Sequence, residues 1–226
     1  MPASTRSRLP ALADELLAFV LSASCAGCDR GGSILCAECR DRLRPDPISV
    51  RTRGGLTVIA ALEFGGVAAR CIRRVKEEGE TLLARPLGVA LGVVLTRAVR
   101  ADHLVVPAPT SRAAYRRRGY RVPELLLRRA GVSPSPLLRT VARRADQRGL
   151  DARSRAENVH RSMAVRGGAG GARVILMDDV VTTGATLDEA ARALRAAGYT
   201  VDGAVALAAT PRHRGLIGDS SATRRN

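Results

Sequence analysis

The 226-residue chain can bury one sizeable core and a small appendage, which excludes two full domains of ordinary size. With 46% apolar and 26% charged residues, its composition is that of a soluble globular protein. Thirty-seven basic residues against 21 acidic ones give a formal charge of +16, and residues 101–166 hold fifteen arginines against five acids, so an anionic partner is expected.

Residues 1–24 read as a short arm and a helix. The apolar stretch 9–22 is broken by Asp14 and Glu15 as an amphipathic helix would be, and the longest apolar run, 86–95, falls short of the ~20 residues a bilayer span needs. The expectation is a cytoplasmic chain with no membrane insertion. Next come Cys25-x2-Cys28 and, seven residues on, Cys36-x2-Cys39. Paired CxxC turns let two thiolates each approach one tetrahedral metal, so a structural Zn²⁺ site on Cys25, Cys28, Cys36 and Cys39 is expected, with a redox dithiol as the alternative. Four thiolates close the coordination sphere, which suits folding and docking rather than catalysis. Residues 41–55 are rich in Pro, Arg and Gly and read as a connector.

The run 56–64 is β-branched and apolar, a strand or hairpin arm, and residues 67–77 and 82–100 carry helical periodicity. Cys71 on the first of these helices reads as a small buried residue, and Lys76 is the only lysine in the chain. Nearly every cation is therefore a guanidinium, the planar donor that suits phosphate. A coding bias toward arginine accounts for Arg over Lys equally well, but not for the net charge or its clustering.

From residue 104 the pattern becomes strand, loop, helix. Residues 104–106 form a short strand ended by Pro107 and Pro109; residues 112–129 are helical with a break between Gly119 and Pro123; a further strand is expected near Leu137 and Leu138; and 139–160 reads as a long loop. The strand 173–177, the helix 187–197 with Gly198 just beyond it, and the strand 200–208 complete the pattern, and the end of the chain reads as a frayed tail. Strands alternating with helices imply an α/β fold with a parallel sheet.

The strongest signal is VILMDDVVTTGAT at residues 174–186. An apolar strand delivers Asp178 and Asp179 to the carboxyl edge of the sheet, where ligands bind in open α/β folds. The loop Thr182, Thr183, Gly184, Ala185, Thr186 then offers hydroxyls, a glycine and the free N–H groups of a helix start, a cradle for a phosphate. Two carboxylates would repel that phosphate, but they suit the hydroxyls of a sugar attached to it, directly or through Mg²⁺. A phosphorylated ribose meets both demands. A Walker A loop is excluded, because it needs a Gly-Lys pair and Lys76 lies between Val75 and Glu77. The glycines at 167–171 precede a strand instead of following one, so they are no dinucleotide fingerprint.

VILMDDVVTTGAT resembles the phosphoribosyl pyrophosphate (PRPP) motif of type I phosphoribosyltransferases. The wider pattern is CxxC…CxxC, VPAPTSRAAYRRRGY at 106–120, Arg144 with Gln147-x-Gly149-Leu150, and Arg155-x-x-Asn158-Val159; together these are similar to the ComF family of bacterial competence proteins. The resemblance implies a doubly wound parallel sheet behind a small N-terminal zinc-binding module, with Mg²⁺-PRPP as ligand. It implies that Asp178 and Asp179 hold the ribose hydroxyls, that Thr182 to Thr186 hold the 5′-phosphate, and that Thr110, Ser111 and Arg112 face pyrophosphate with Arg117 and Arg118 nearby. Relatives carry Asn-Gln after the Arg-Gly-aromatic triplet, whereas here Arg118-Gly119-Tyr120 is followed by Arg121-Val122.

The expected organisation is a helix and zinc module at 1–55, a phosphoribosyltransferase-like domain at 56–212 and a tail at 213–226. Two functions fit: binding of PRPP or phosphorylated ribose in the service of DNA uptake, with single-stranded DNA and competence or recombination proteins as partners, or transfer of ribose 5-phosphate from PRPP to a nitrogen acceptor. Against a nucleic-acid grip built on base stacking, aromatic residues are only 2% and Trp is absent.

Overall fold

The structure, a computed structural model, describes residues 24–141, 162–167 and 170–210. Nearly all of the expected N-terminal arm and helix, the residues Arg144, Gln147, Gly149, Leu150, Arg155, Asn158 and Val159, most of the expected long loop and the tail lie outside the described residues.

The first elements are α1 (Ala37–Asp41), the strands β1 (Ile48–Arg51) and β2 (Thr57–Glu63), and α2 (Gly66–Arg73). The chain then winds through a π turn (Arg74–Glu78) and a 3₁₀ turn (Thr81–Leu83) into α3 (Ala84–Ala98). After β3 (His103–Pro107) come α4 (Arg112–Arg118) and α5 (Val122–Arg129), the short strands β4 (Leu138–Thr140) and β5 (Met163–Val165), then β6 (Arg173–Val181), α6 (Ala185–Ala196) and β7 (Thr200–Ala209).

Five strands form one sheet in the order β1-β2-β7-β6-β3, with β1 antiparallel to β2 and the other pairs parallel. The alternation along β6 shows how the faces are filled. Ile175 and Met177 point into a core shared with α3 and α5, while Val174 and Leu176 point into a second core under α6. Helices thus cover both faces, and the expected α/β fold with a mostly parallel, doubly wound sheet is present.

Three expectations need correction. Residues 41–55 are more than a connector, because Ile48–Arg51 pairs with Thr57–Ala60 as the outer strand of a hairpin. The strand expected at 173–177 runs on to Val181, because β7 continues to pair with it as far as Val181↔Ala209, while β3 stops at Pro107. The expected loop at 139–160 begins as a strand, Leu138–Thr140, which pairs with Met163–Val165. The stretch Thr81–Ala98 also matches a membrane span by length and apolar composition, a longer match than 86–95 suggested. Here Leu87, Leu91, Val94 and Leu95 of that stretch are buried in the core beside the sheet.

The close approach of α3 to α5 rests on Gly88, where a Cβ would lie 2.5 Å from Arg129 Cβ and 2.8 Å from its carbonyl carbon. Gly88→Val gains under about 1 kcal/mol of helix propensity but forces the helices apart, at about 1–3 kcal/mol for overpacking. The expected result is net destabilisation by about 1–2 kcal/mol, read from the shift of a urea-denaturation midpoint.

Candidate functional site

The cysteine module is built by two tight turns. Backbone N–H groups of Gly27 and Cys36 both point at Cys25 Sγ at 3.4 Å, and Cys28 Sγ lies 3.8 Å from Cys36 Sγ. All four sulfurs fall within 4.8 Å of one another, so one ion can be held by Cys25, Cys28, Cys36 and Cys39 together. Gly27 is required there, because a Cβ would sit 2.5 Å from Cys39 Sγ. Burial raises the Cys25 thiol, but the N–H groups of Cys36, Gly27 and Cys28 aimed at its sulfur outweigh it and bring the thiol to about 6. Cys71 lies beneath, wholly buried as expected, and burial pushes its thiol up to about 12.

Besides the core it shares with α2 and α3, the module meets the sheet domain through an acid. Asp29, the one non-glycine among the described residues with positive φ (61°), receives Arg70 at 2.8 Å and Arg74 at 2.7 Å. Both arginines belong to the helical rod formed by α2 and the π turn. Two residues beyond Arg74, Lys76 reaches across to Asp179, with Nζ 2.7 Å from Oδ1. The Arg118 guanidinium donates to the Lys76 carbonyl at 3.2 Å and the Tyr120 hydroxyl donates to the Val75 carbonyl, so the turn carrying Lys76 is braced on its far side.

Asp178 and Asp179 sit in β6 just past the end of β3, hydrogen-bonded to β7 on one side only. Asp179 is buried and carries the Lys76 ammonium; Asp178 is half-buried and its Oδ1 accepts the Asp179 N–H at 2.9 Å. Burial first, and the adjacent Asp179 charge second, push the Asp178 carboxyl up to about 8. Near neutrality the pair is thus one protonated acid and one ion pair.

The loop after β6 is held from behind. Gly184 has φ 81°, and a Cβ there would collide with the Thr52 side chain. Asp188, in the first turn of α6, accepts from the Thr52 hydroxyl and, at 2.9 Å, from the Gly54 N–H. The β1–β2 turn therefore takes up the one acid in that first turn and fixes the helix start. Thr182 and Thr183 are exposed, Ala185 and Thr186 half-buried, and the Ala185 N–H donates to Thr183 Oγ1 at 3.4 Å.

The remaining expected residues divide. Ser111 serves as N-cap of α4, accepting the Ala114 N–H at 3.2 Å. Arg118 is spent on the Lys76 carbonyl and on its own helix, while Arg117 is exposed. Thr110 and Arg112 line a cavity of about 340 Å³ to which none of residues 178–186 contributes. The Thr110–Arg112 segment is thus not brought together with the loop 182–186 around this cavity. Sequence reasoning passed over Lys76, Asp29, Thr52 and Asp188 as site-building residues. The signals available were that Lys76 is the single lysine and that Asp188 sits in the first helical turn.

The raised Asp178 carboxyl gives a signed prediction. Its ordinary value is 3.8, so between about 4 and 8 the folded chain keeps a proton that the unfolded chain releases, and stability falls as pH rises through that window. Asp178→Asn should remove this slope and be the more stable form at pH 8, read as urea midpoints from pH 4.5 to 8.5; parallel profiles for the two proteins would contradict the assignment.

No family model and no curated protein matches the chain. Similar solved structures include the allosteric regulatory enzyme of purine biosynthesis (19% identity over 55% of this chain and 26% of that one, TM-score 0.37) and Leishmania donovani UMP synthase (19%, 76% and 31%, TM-score 0.37). They also include an adenine phosphoribosyltransferase (16% identity, 76% and 89%, TM-score 0.40). The chain spans less than a third of the first two proteins. These likenesses concern the fold and assign no activity to this chain.

Proposed function

We propose that this chain binds a 5-phosphoribosyl group, with PRPP as the ligand, through the segment 174–186. The observation that carries the reading is the pairing of two adjacent carboxylates near the end of β6 with a glycine-shaped helix start five residues after Asp179. In this reading the N–H groups at the start of α6 and the hydroxyls of Thr182, Thr183 and Thr186 receive the 5′-phosphate. Asp178 and Asp179 accept hydrogen bonds from the ribose diol. A protonated Asp178 and a Lys76-paired Asp179 leave little net negative charge beside the phosphate, which answers the repulsion that two free carboxylates would cause.

Mg²⁺, when bound with the ligand, supplies charge neutralisation of the pyrophosphate oxygens. Its donors would be phosphate and sugar oxygens of the ligand, since the chain's two carboxyls are taken up by a proton and by Lys76. Zn²⁺ is the proposed occupant of the four-cysteine site, where it holds the N-terminal turns against α2 and takes no part in the chemistry.

The process follows the ComF resemblance: a role in DNA uptake, with single-stranded DNA and competence or recombination proteins as partners, supported by the charge of +16. Transfer of ribose 5-phosphate to a nitrogen acceptor is the second reading, favoured by the Lys76 ammonium held beside Asp179, a cation suited to a departing pyrophosphate. In that reaction the anomeric C–O bond to pyrophosphate breaks, a C–N bond forms and the acceptor gives up its proton.

Asp178→Asn combined with Asp179→Asn should weaken Mg²⁺-PRPP binding by about a hundredfold or more in a calorimetric titration, while lowering the melting temperature by no more than a few degrees. Unchanged affinity would remove the site assignment. Metal analysis of purified protein should find about one zinc per chain; a metal-free, fully folded protein would favour the redox-dithiol alternative.

A further inference from the structure

Among the described residues, the cation on Asp179 is Lys76, the only lysine of the chain. It sits in the wide turn Arg74–Glu78, which closes on Gly79 in the left-handed region at φ 78°. A π turn is a poor competitor of the α-helix that leads into it, so contacts from outside have to hold it open. Two of them come from beyond α4, where Arg118 and Tyr120 donate to the carbonyls of Lys76 and Val75. The others come from the cysteine module.

Asp29 follows Cys28 directly, and its N–H donates to the Cys25 carbonyl at 2.8 Å, so the first cysteine turn itself aims this carboxylate. It receives Arg70 from α2 and Arg74, the first residue of the wide turn. The Arg74 side chain is only 19% exposed and also meets Glu80 at 3.0 Å and Glu78, the last residue of the turn, at 3.8 Å. An exposed ion pair contributes little by itself. A shielded guanidinium shared among three carboxylates, however, ties both ends of the turn to the module.

Beneath these charges the module lies directly on α2. A Cβ at Gly27 would stand 2.9 Å from Val67 Cγ1, and Cys25 and Cys39 share one core with Cys71, Ile72 and Val75, the residue before Lys76. Contacts thus run without a break from the cysteine sulfurs to Asp179. Such a chain couples two places only where an element along it has two arrangements. The wide turn is that element: drawn back into α geometry, it loses its extra residue, the positions beyond Arg74 rotate by about 100°, and Lys76 leaves Asp179.

We propose that Asp29 and Arg74 are positioning residues for Lys76, so that the ordered cysteine module sets how tightly the segment 174–186 holds a sugar phosphate. The second half of this statement rests on the ribose-phosphate reading above; the first half does not. With the module in order, Asp29 holds Arg74, the wide turn persists and Lys76 neutralises Asp179. With the module loosened, or Asp29 made neutral, the turn relaxes and Asp179 stands uncompensated beside the phosphate, which binds less well. Linkage makes the effect mutual, so a bound sugar phosphate raises the affinity of the four cysteines for their metal.

A chain with one lysine gives a single side-chain signal when labelled with ¹³C-lysine, and that signal reports the Lys76–Asp179 contact. Asp179→Asn marks where the signal of a released ammonium lies. Asp29→Asn is the test variant, because asparagine accepts φ 61° and keeps the turn while the charge is lost. It should retain about one zinc per chain, shift the Lys76 signal toward its Asp179→Asn position, and weaken ribose 5-phosphate binding about fivefold or more. Chelation of the wild-type protein should move the signal the same way. Glu38→Gln, which breaks an exposed ion pair with Arg30 inside the module, should do neither. A Lys76 signal unmoved in Asp29→Asn overturns the proposal, whether or not the sugar phosphate binds. A signal that moves while ribose 5-phosphate fails to bind the wild-type protein supports the positioning of Lys76 and counts instead against the ligand reading.

Discussion

Two carboxylates at neighbouring positions of a central strand, one buried and one half-buried, are the constraint around which this structure is arranged. Like charges so placed cannot both persist in a low dielectric. The fold meets one with a cation and the other with a proton: Lys76 sits on Asp179 at 2.7 Å, and burial beside that acid keeps the Asp178 carboxyl protonated up to about 8. Lys76 can do this only because the helical rod after β2 ends in a π turn whose carbonyls are held by Arg118 and Tyr120. A wider turn of this kind re-aims side chains, and such turns recur at functional sites.

The same rod joins the cysteine module to the site. Arg70 and Arg74 meet Asp29 between the two CxxC turns, and Cys71 lies in one continuous core with Cys25, Cys39, Leu83 and Leu87. The module therefore has no core of its own, and a boundary at residue 55 marks a change of composition and not of packing. From the opposite side, Thr52 and Gly54 grip Asp188 and leave room for Gly184 in its left-handed conformation. Both elements that the sequence presents as peripheral, the cysteine turns and the Arg/Pro/Gly-rich stretch, thus reach the end of β6.

Much of this was legible beforehand because it is local. The apolar run 173–177, the periodicity of residues 187–197 with Gly198 beyond, and the break at Gly119 each correspond to an element or its end. What was not legible depends on distant partners. β6 continues through Asp178 and Asp179, against their polar character, because Ala206 to Ala209 keep pairing with it. The alternation of Ile48 and Val50 was hidden among prolines and arginines, and only Val58 and Ala60 opposite reveal a strand. The Lys76–Asp179 contact spans 103 positions, which no window of sequence displays.

The central claim, that main-chain amides at the start of α6 hold a phosphate while Asp178 and Asp179 hold the attached sugar, is tested most directly by amide chemical shifts. Ribose 5-phosphate is titrated into ¹⁵N-labelled protein, with ribose and inorganic phosphate as controls. The account predicts that the largest shifts fall on residues 182–187, that inorganic phosphate reproduces them, and that ribose 5-phosphate alone also moves Asp178, Asp179 and Lys76. Shifts confined to other parts of the sheet edge, with residues 178–187 unmoved, would contradict it.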